Sequence, residues 1–241
     1  MNLIIVKDYQ ELSQAAADLV AREIIAKPDT VLCLPTGETP IGMYRELIQK
    51  YQRGEIDFSE AVAFSLDEYC SLSPEHPQSY YYYMQHTFFR HINIKAENIY
   101  LLNGITQDIV AECENYDKQI LENGGIDLQI LGIGNNGHLG FNEPAISLNS
   151  KTHLVNLSDD TIHANSRFFK NIEEVPTKAL TVGMGAIMKA TKIMLLASGE
   201  KKTAAINKTI NGLISTRSPS TFLQLHPDVT IIIDKDAASK L

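Results

Sequence analysis

The chain has 241 residues, of which 44% are hydrophobic and 21% are charged, and its formal net charge is −8. This length suits one large α/β domain better than two small ones. The negative charge argues against a general nucleic-acid binder and against a protein that binds anionic membranes. No apolar run is long enough to span a bilayer or to act as a signal peptide, so we expect a cytoplasmic protein.

The cysteines and histidines do not form a recognisable metal-binding pattern. Cys33, Cys70 and Cys113 are widely spaced, and neither a CxxC pair nor a Cys/His cluster with zinc-ligand spacing is present. We therefore expect small buried thiols in a reducing compartment and no metal site.

Short apolar runs alternate with longer helical patterns along the chain. Asp8 begins an Asp-x-x-Glu capping box, after which apolar residues recur at helical spacing. Further helices are predicted at about 40–52, 78–91 and 106–122. Strands are predicted at 3–6, 31–34, 62–66, 99–102, 126–131, 152–157, 179–182, 192–197 and 229–233.

Several of these strands are continuous apolar runs, which is typical of a parallel sheet buried on both faces. The alternation of strands and helices predicts a three-layer α/β/α sandwich with a mainly parallel, Rossmann-like central sheet, formed by one domain over residues 1–241. In such folds ligands bind at the carboxyl ends of the strands. Functional residues are therefore expected directly after each strand.

The first candidate site is the segment LPTGETP, which lies between a strand and a helix. Gly37 lets the backbone approach a ligand, and the amides of Gly37, Glu38 and Thr39 lie where the helix begins. Unpaired amides and the positive end of a helix dipole bind anions. The segment is not a Walker loop, and taken alone it is better explained as an ordinary turn capped by threonine.

The second candidate is the segment SLDEY, in which two carboxylates and a phenol follow an apolar strand. Asp67 is expected to face the crevice, where partial desolvation raises the pKa of a carboxyl group and makes it a better base. The alternative is a solvated turn with two exposed acids.

The third candidate is the segment LGIGNNGHLGFNEP. It contains GxGxxG at Gly132, Gly134 and Gly137, but a dinucleotide site must open a helix, and Pro144 blocks an early helix here. The segment instead predicts a tight loop around a small ligand. His138 is suited to proton transfer near neutral pH, and Glu143 is placed to orient its ring.

The fourth candidate is a pair of cations in polar surroundings, Arg167 and Lys202, each near a predicted helix boundary. Arginine binds phosphate through two hydrogen bonds, and lysine supplies a point charge. Taken singly, either side chain is better explained as an ordinary surface cation.

These segments, together with ANSRFF, ALTVGMG and LQLHP, occur in order along essentially the whole chain. In this combination the chain resembles the glucosamine-6-phosphate deaminase family, also called glucosamine-6-phosphate isomerase. SLDEY with GHLGFNEP is highly specific, whereas LPTG alone also occurs in related sugar-phosphate proteins. The resemblance implies isomerisation of glucosamine 6-phosphate and loss of ammonia, giving fructose 6-phosphate in the catabolism of amino sugars such as N-acetylglucosamine.

The resemblance also implies a role for each candidate residue. Asp67 moves a proton between C2 and C1 of the opened sugar, and His138 serves ring opening, held by Glu143 and Asn136. Neither hydride nor phosphoryl transfer is involved, so no cofactor is expected. The residues implied in binding the phosphate are Thr36, Gly37, Glu38, Thr39, Arg167 and Lys202.

The chain departs from better-known members of the family in two places. Asn136 stands where they carry Asp, and an amide can orient His138 but cannot stabilise its cation by charge. Ile146, His153 and Val155 stand where the hexameric, allosterically activated members place polar and basic residues. We therefore expect a monomer or small homo-oligomer that N-acetylglucosamine 6-phosphate does not activate. The segment at about 151–178 resembles a mobile lid.

Three alternative functions stay open at this point. A galactosamine-6-phosphate deaminase differs only in the epimer it accepts. A 6-phosphogluconolactonase is similar in fold but does not need a base at Asp67. A sugar-phosphate sensor that regulates transcription carries a DNA-binding helix-turn-helix, for which this acidic chain leaves no room before its first strand.

Overall fold

The central element is a seven-stranded parallel sheet with the strand order β1-β10-β9-β6-β2-β3-β5. The computed structural model describes residues 1–241, apart from the side chains of Asp160 and Ala164. The strands are β1 (Asn2–Val6), β2 (Val31–Leu34), β3 (Val62–Ser65), β4 (Asp67–Tyr69), β5 (Ile99–Tyr100), β6 (Leu128–Leu131), β7 (His153–Asn156), β8 (Lys178–Thr181), β9 (Lys192–Ala197) and β10 (Val229–Asp234). The α-helices are α1 (Tyr9–Ala26), α2 (Ile41–Gln52), α3 (Tyr80–Thr87), α4 (Ile109–Glu122), α5 (Asp159–Asn165), α6 (Met184–Ile187) and α7 (Thr203–Asn211).

Apolar side chains cover both faces of this sheet. On one face, Leu12 of α1 and Met43 of α2 belong to the same buried cluster as Leu32 of β2. On the other, Tyr116 of α4 and Ile206 of α7 belong to a second cluster. The predicted three-layer α/β/α sandwich with a mainly parallel sheet is therefore confirmed.

Lys202 and the first three candidate segments follow four neighbouring strands in the middle of the sheet, in the order β9-β6-β2-β3, whereas Arg167 follows α5. Because these strands are parallel, their carboxyl ends meet at one edge. The chain runs outward in one direction from β2 through β3 to β5, and in the other from β6 through β9 to β10. The strand order therefore changes direction between the neighbouring strands β2 and β6. Such folds bind ligands in the crevice beyond the carboxyl ends of the strands at this switch point.

A second, three-stranded antiparallel sheet lies beside the carboxyl edge, with the order β4-β8-β7. The strands expected at 152–157 and 179–182 therefore exist, but they pair with each other and not with the central sheet. The third partner is β4, which sequence reasoning took as the loop after a strand. Its residues Asp67, Glu68 and Tyr69 pair with Thr181, Leu180 and Ala179.

Several predicted boundaries were too wide. The strand expected at 62–66 ends at Ser65, and that expected at 99–102 is only Ile99–Tyr100. The helix expected at 78–91 is α3 followed by a 3₁₀ turn over Phe89–His91. Helix α4 begins at Ile109 because Asp108 caps it, its side chain accepting the Ala111 amide hydrogen.

The amino-terminal capping box is confirmed in a slightly different form. The Asp8 side chain accepts the amide hydrogens of Gln10 and Glu11, while Glu11 accepts that of Lys7, one residue before the cap. Among the described helices, none combines the length and apolar character needed to cross a bilayer.

Candidate active site

Three tyrosine hydroxyls donate hydrogen bonds to the backbone carbonyls of the loop after β2. Tyr83 donates to the carbonyl of Gly37 (2.6 Å), and Tyr44 donates to that of Pro35 (2.6 Å). Tyr9 donates to the carbonyls of Glu38 (3.0 Å) and Thr39 (3.1 Å). These bonds fix the carbonyl groups of the loop.

The amide groups of the same loop are available to a ligand. Gly37 has φ +94°, a left-handed conformation that favours glycine. Within the described chain, the amides of Gly37, Glu38 and Thr39 donate no backbone hydrogen bond outside regular elements, and α2 begins two residues beyond Thr39. Unpaired amides directly before a helix are typical of an anion-binding site at a helix amino terminus.

One candidate cation contacts this loop, and the other lies near enough to be affected by its charges. The Arg167 Nη2 atom donates to the Glu38 carboxylate at 2.8 Å, with both side chains largely exposed. Lys202 is partly buried, and its Nζ atom donates to the carbonyl of Ile133 at 2.7 Å. Burial, and then the charge of Arg167, lower the pKa of the Lys202 ammonium. The two cations are therefore near enough to repel each other, and an anion between them would relieve that repulsion.

Asp67 is the first residue of β4 and is only 6% exposed. Its Oδ1 atom is buried without a hydrogen-bond partner among the described residues. Burial raises the pKa of this carboxyl to about 8, and the charge of Glu68 adds to the shift. The alternative of a solvated turn is therefore wrong, because both acids of SLDEY are buried.

Glu68 was not among the candidate site residues, but it is 3% exposed and fully engaged. Its Oε1 atom accepts the amide hydrogens of Tyr69 and Tyr80, both at 2.8 Å, and its Oε2 atom accepts that of Tyr81 at 2.7 Å. Two of these amides, those of Tyr80 and Tyr81, lie 12 and 13 residues after Glu68 in the sequence. Local spacing gave no signal for them.

The loop after β6 brings His138 and Glu143 together. The Nδ1 atom of His138 lies 3.2 Å from Glu143 Oε1, although the angle is outside hydrogen-bond geometry. The imidazole lies over Gly134, where any Cβ atom would collide with the ring. The turn itself needs glycine at Gly137 (φ +88°) and Gly140 (φ +57°).

Glu143 is held by two further side chains. The Asn136 Nδ2 atom donates to Oε2 at 2.8 Å, and the Thr161 hydroxyl donates to Oε1 at 2.5 Å. Burial would raise the pKa of Glu143, but His138, Thr161 and Asn136 together lower it to about 2. Glu143 is thus a fixed negative charge beside His138.

Asn136 contacts the backbone of His138 and not its ring. Its Oδ1 atom accepts the His138 amide hydrogen at 3.1 Å while its amide group holds Glu143. Thr161 was missed by sequence reasoning because it lies on α5, far from the loop in sequence. The segment 151–178 therefore contributes both Thr161 and Arg167.

Packing joins the loop of His138 to the strand of Asp67. The Phe141 amide donates to the Thr181 hydroxyl at 3.1 Å, and Thr181 is paired with Asp67 across the antiparallel sheet. Among the described residues, no cluster of three His, Cys, Asp or Glu side chains is placed to hold a metal ion.

Comparisons with known proteins agree over the whole chain. The family model for glucosamine-6-phosphate isomerases/6-phosphogluconolactonase matches residues 7–231. A glucosamine-6-phosphate deaminase of Thermoanaerobacter pseudethanolicus is 60% identical over 239 residues, covering 99% of this chain and 94% of the relative. One of Halothermothrix orenii is 56% identical over 241 residues, covering 100% of both.

Solved structures give the same result. A structure of a monomeric glucosamine-6-phosphate deaminase superposes with a TM-score of 0.97 at 45% identity, covering 99% of each chain. A 6-phosphogluconolactonase from Trypanosoma cruzi superposes with a TM-score of 0.82 at 20% identity, covering 100% of this chain and 96% of that one, and so shares the fold. Matched along nearly its full length by sequence and by structure, this chain belongs to the family of glucosamine-6-phosphate isomerases and 6-phosphogluconolactonases.

Proposed function

We propose that this enzyme converts glucosamine 6-phosphate and water to fructose 6-phosphate and ammonia. The observation that carries the proposal is Asp67, a buried carboxyl with an unpartnered oxygen and a raised pKa at the carboxyl edge of the sheet. A base of this kind suits removal of a proton from carbon next to a carbonyl group. Relatives at 54–60% identity that carry the name glucosamine-6-phosphate deaminase support the same reaction.

In the proposed mechanism the phosphate binds first at the loop after β2. The amides of Gly37, Glu38 and Thr39 donate hydrogen bonds to its oxygens, and Arg167 and Lys202 balance its charge. Thr36 lies in the same loop. Binding of the phosphate fixes that end of the sugar, so that C1 and C2 lie at the carboxyl ends of β2 and β6.

Ring opening is assigned to His138. Its imidazole takes the proton of the C1 hydroxyl while the bond from C1 to the ring oxygen breaks, and the proton passes to that oxygen. Glu143 stays ionised beside the ring and stabilises the imidazolium that forms. Asn136 and Thr161 hold Glu143 in place.

Asp67 then acts on the open-chain aldehyde. It removes the proton from C2 and returns it to C1, while the amino group loses a proton and the aldehyde oxygen gains one, which converts the 2-amino aldose to the C2 imine of the ketose. Water adds to the imine carbon, the C–N bond breaks, and ammonia leaves.

We also propose that residues 1–241 form one sugar-phosphate domain in which 151–178 act as a lid. Two observations support this proposal: Thr161 of α5 contacts Glu143, and Arg167 contacts Glu38, so the segment touches both halves of the site. We propose that the protein is a monomer or small homo-oligomer, and that it works in the cytoplasm in amino-sugar catabolism as a net hydrolase.

The test is to mix EDTA-treated protein with glucosamine 6-phosphate and to measure ammonia and fructose 6-phosphate together. Equal amounts of both are expected, and Asp67→Asn should abolish both. If neither product appears, turnover of galactosamine 6-phosphate or of 6-phosphogluconolactone would replace the function and keep the fold. Binding of all three without turnover would leave a sugar-phosphate sensor.

A further inference from the structure

The carboxylate of Glu68 is buried, and backbone amides stabilise it in place of a cation. All three of its hydrogen-bond partners are donors, the amides of Tyr69, Tyr80 and Tyr81. An ionised carboxylate only accepts hydrogen bonds, so this surrounding matches the charged form. Tyr80 and Tyr81 open α3, and the positive end of that helix adds to the preference.

Asp67, the next residue along β4, has the opposite surroundings. Its Oδ1 atom is buried and has no donor among the described residues. When two carboxyl groups lie close together, the one with more donors ionises first and disfavours ionisation of the other. Burial raises the pKa of Glu68 to about 7 although its three amide bonds lower it, and this value still lies below the pKa of about 8 for Asp67. Glu68 therefore ionises first, and the exchangeable proton stays on Asp67.

The other titratable groups near enough to be affected by the charge of Asp67 are thiols and phenols, which are neutral near pH 7. They are Cys33 of β2, Tyr44 of α2, Tyr69 of β4 and Tyr80 of α3. Burial raises the pKa of each of these thiol and phenol groups above its ordinary value. Among the described groups, Glu68 is the one whose charge raises the pKa of Asp67 beyond the effect of burial.

Glu68 also connects the base to the anion loop. Its two bonds to the first turn of α3 fix that helix against β4, and Tyr83 of the same helix donates to the carbonyl of Gly37 at 2.6 Å. A shift of α3 would therefore move the phosphate relative to Asp67.

We propose that Glu68 is a positioning residue whose negative charge keeps Asp67 strongly basic and whose three amide bonds set the distance between Asp67 and the phosphate loop. The proposal rests on the proposed function, in which Asp67 removes the proton from C2. It adds a second buried carboxylate to the site, one that does not touch the substrate.

The kinetic test compares Glu68→Gln, Glu68→Asp and Ser79→Ala with the wild type. Glu68→Gln removes the charge, so the acid limb of the pH profile of kcat/KM should move down by on the order of one pH unit, with kcat falling about tenfold. Glu68→Asp keeps the negative charge on a side chain that is one methylene shorter. The acid limb of its pH profile should therefore stay in place while kcat falls.

Ser79→Ala is the matched control, because it loosens α3 without changing any charge. The Ser79 hydroxyl caps this helix by accepting the Tyr82 amide hydrogen at 3.0 Å. Its Tm and KM should change while its acid limb does not. If Glu68→Gln behaves like Ser79→Ala, with a changed Tm and an unmoved acid limb, Glu68 is only structural and the proposal is wrong.

A second measurement is independent of turnover and of whether Glu68→Gln folds. Carboxyl ¹³C NMR of the wild type should show Glu68 ionising at lower pH than Asp67, with the Asp67 resonance assigned by its loss in Asp67→Asn. The reverse order would overturn the proposal even in an active enzyme. If the protein releases no ammonia, the proposed function is wrong. The NMR measurement still tests the order in which Glu68 and Asp67 ionise.

Discussion

At the scale of single residues, the site contains carboxyl groups with opposite properties. Asp67 is buried without donors, and its pKa is raised to about 8. Glu143 accepts hydrogen bonds from Asn136 and Thr161 and lies beside His138, and its pKa is lowered to about 2. Near neutral pH, therefore, one carboxyl group exchanges its proton and the other stays charged.

The raised pKa of Asp67 predicts the pH dependence of the reaction. Asp67 must be ionised to accept the C2 proton, so kcat/KM should rise with pH along an acid limb centred near pH 8. The measurement is initial rates of fructose 6-phosphate formation from pH 5.5 to 9.5. The inhibition constant of a sugar phosphate that cannot isomerise serves as the control for substrate ionisation. A rate that is already constant from pH 6 would contradict this assignment.

The same burial predicts that the base lowers the stability of the fold. The native pKa of Asp67, about 8, lies above the ordinary value of 3.8, so its favourable contribution is complete at low pH and is lost as the pH rises toward 8. Asp67→Asn should therefore raise Tm by about 3 °C or more at pH 8, and by much less at pH 4.

The matched control for this prediction is Glu60→Gln, which removes an exposed carboxylate. It should show no such gain at pH 8. An equal Tm for Asp67→Asn and the wild type across this pH range would mean that Asp67 is not held in a desolvated site.

At the scale of elements, the site depends on a β–loop–helix unit and on the segment that covers it. Tyrosines from α1, α2 and α3 hold the carbonyl groups of the loop after β2. Arg167 follows α5 in the 3₁₀ turn Ser166–Phe168, and Lys202 follows β9. The anion site is thus shared among elements that are distant in sequence.

Neighbouring lysines allow a direct test of this site. Lys202 is partly buried against the Ile133 carbonyl, whereas Lys201 is exposed. Lys202→Met should raise KM for the sugar phosphate by about 10- to 100-fold, because a charge-assisted phosphate contact is worth roughly 1.5–3 kcal/mol. Lys201→Met should leave KM within about twofold. If both variants raise KM to a similar extent, the net positive charge of this region matters and a specific contact between Lys202 and the phosphate does not.

At the scale of the whole molecule, the positions of Lys202 and of the first three candidate segments could be predicted because each follows a continuous apolar strand. Parallel strands then bring residues such as Asp67, His138 and Lys202 to one edge. The antiparallel sheet could not be predicted, because β4 consists of two acids and a tyrosine, a pattern typical of a loop. The partners of Glu68 and Glu143 depend on tertiary contacts, so Tyr80, Tyr81 and Thr161 gave no signal in the sequence.

The assembly state is a prediction for the whole molecule. The structural neighbour at 45% identity is described as monomeric, and Ile146 is 86% exposed where the hexameric members of the family place polar or basic residues. Light scattering should give a mass near 26.8 kDa or a small multiple of it. Kinetics should be hyperbolic and unchanged by N-acetylglucosamine 6-phosphate. A hexamer with a sigmoidal rate curve would contradict both expectations.

The strand order also has a consequence for how the chain folds as it is made. The first strand, β1, pairs with β10, and β10 ends at Asp234, seven residues before the last residue. A nascent chain therefore cannot pair β1 in the sheet until β10 has left the ribosome. Strands β2 and β3 can pair earlier than β9 and β10. The ribosome therefore releases the phosphate loop and Asp67 well before Lys202.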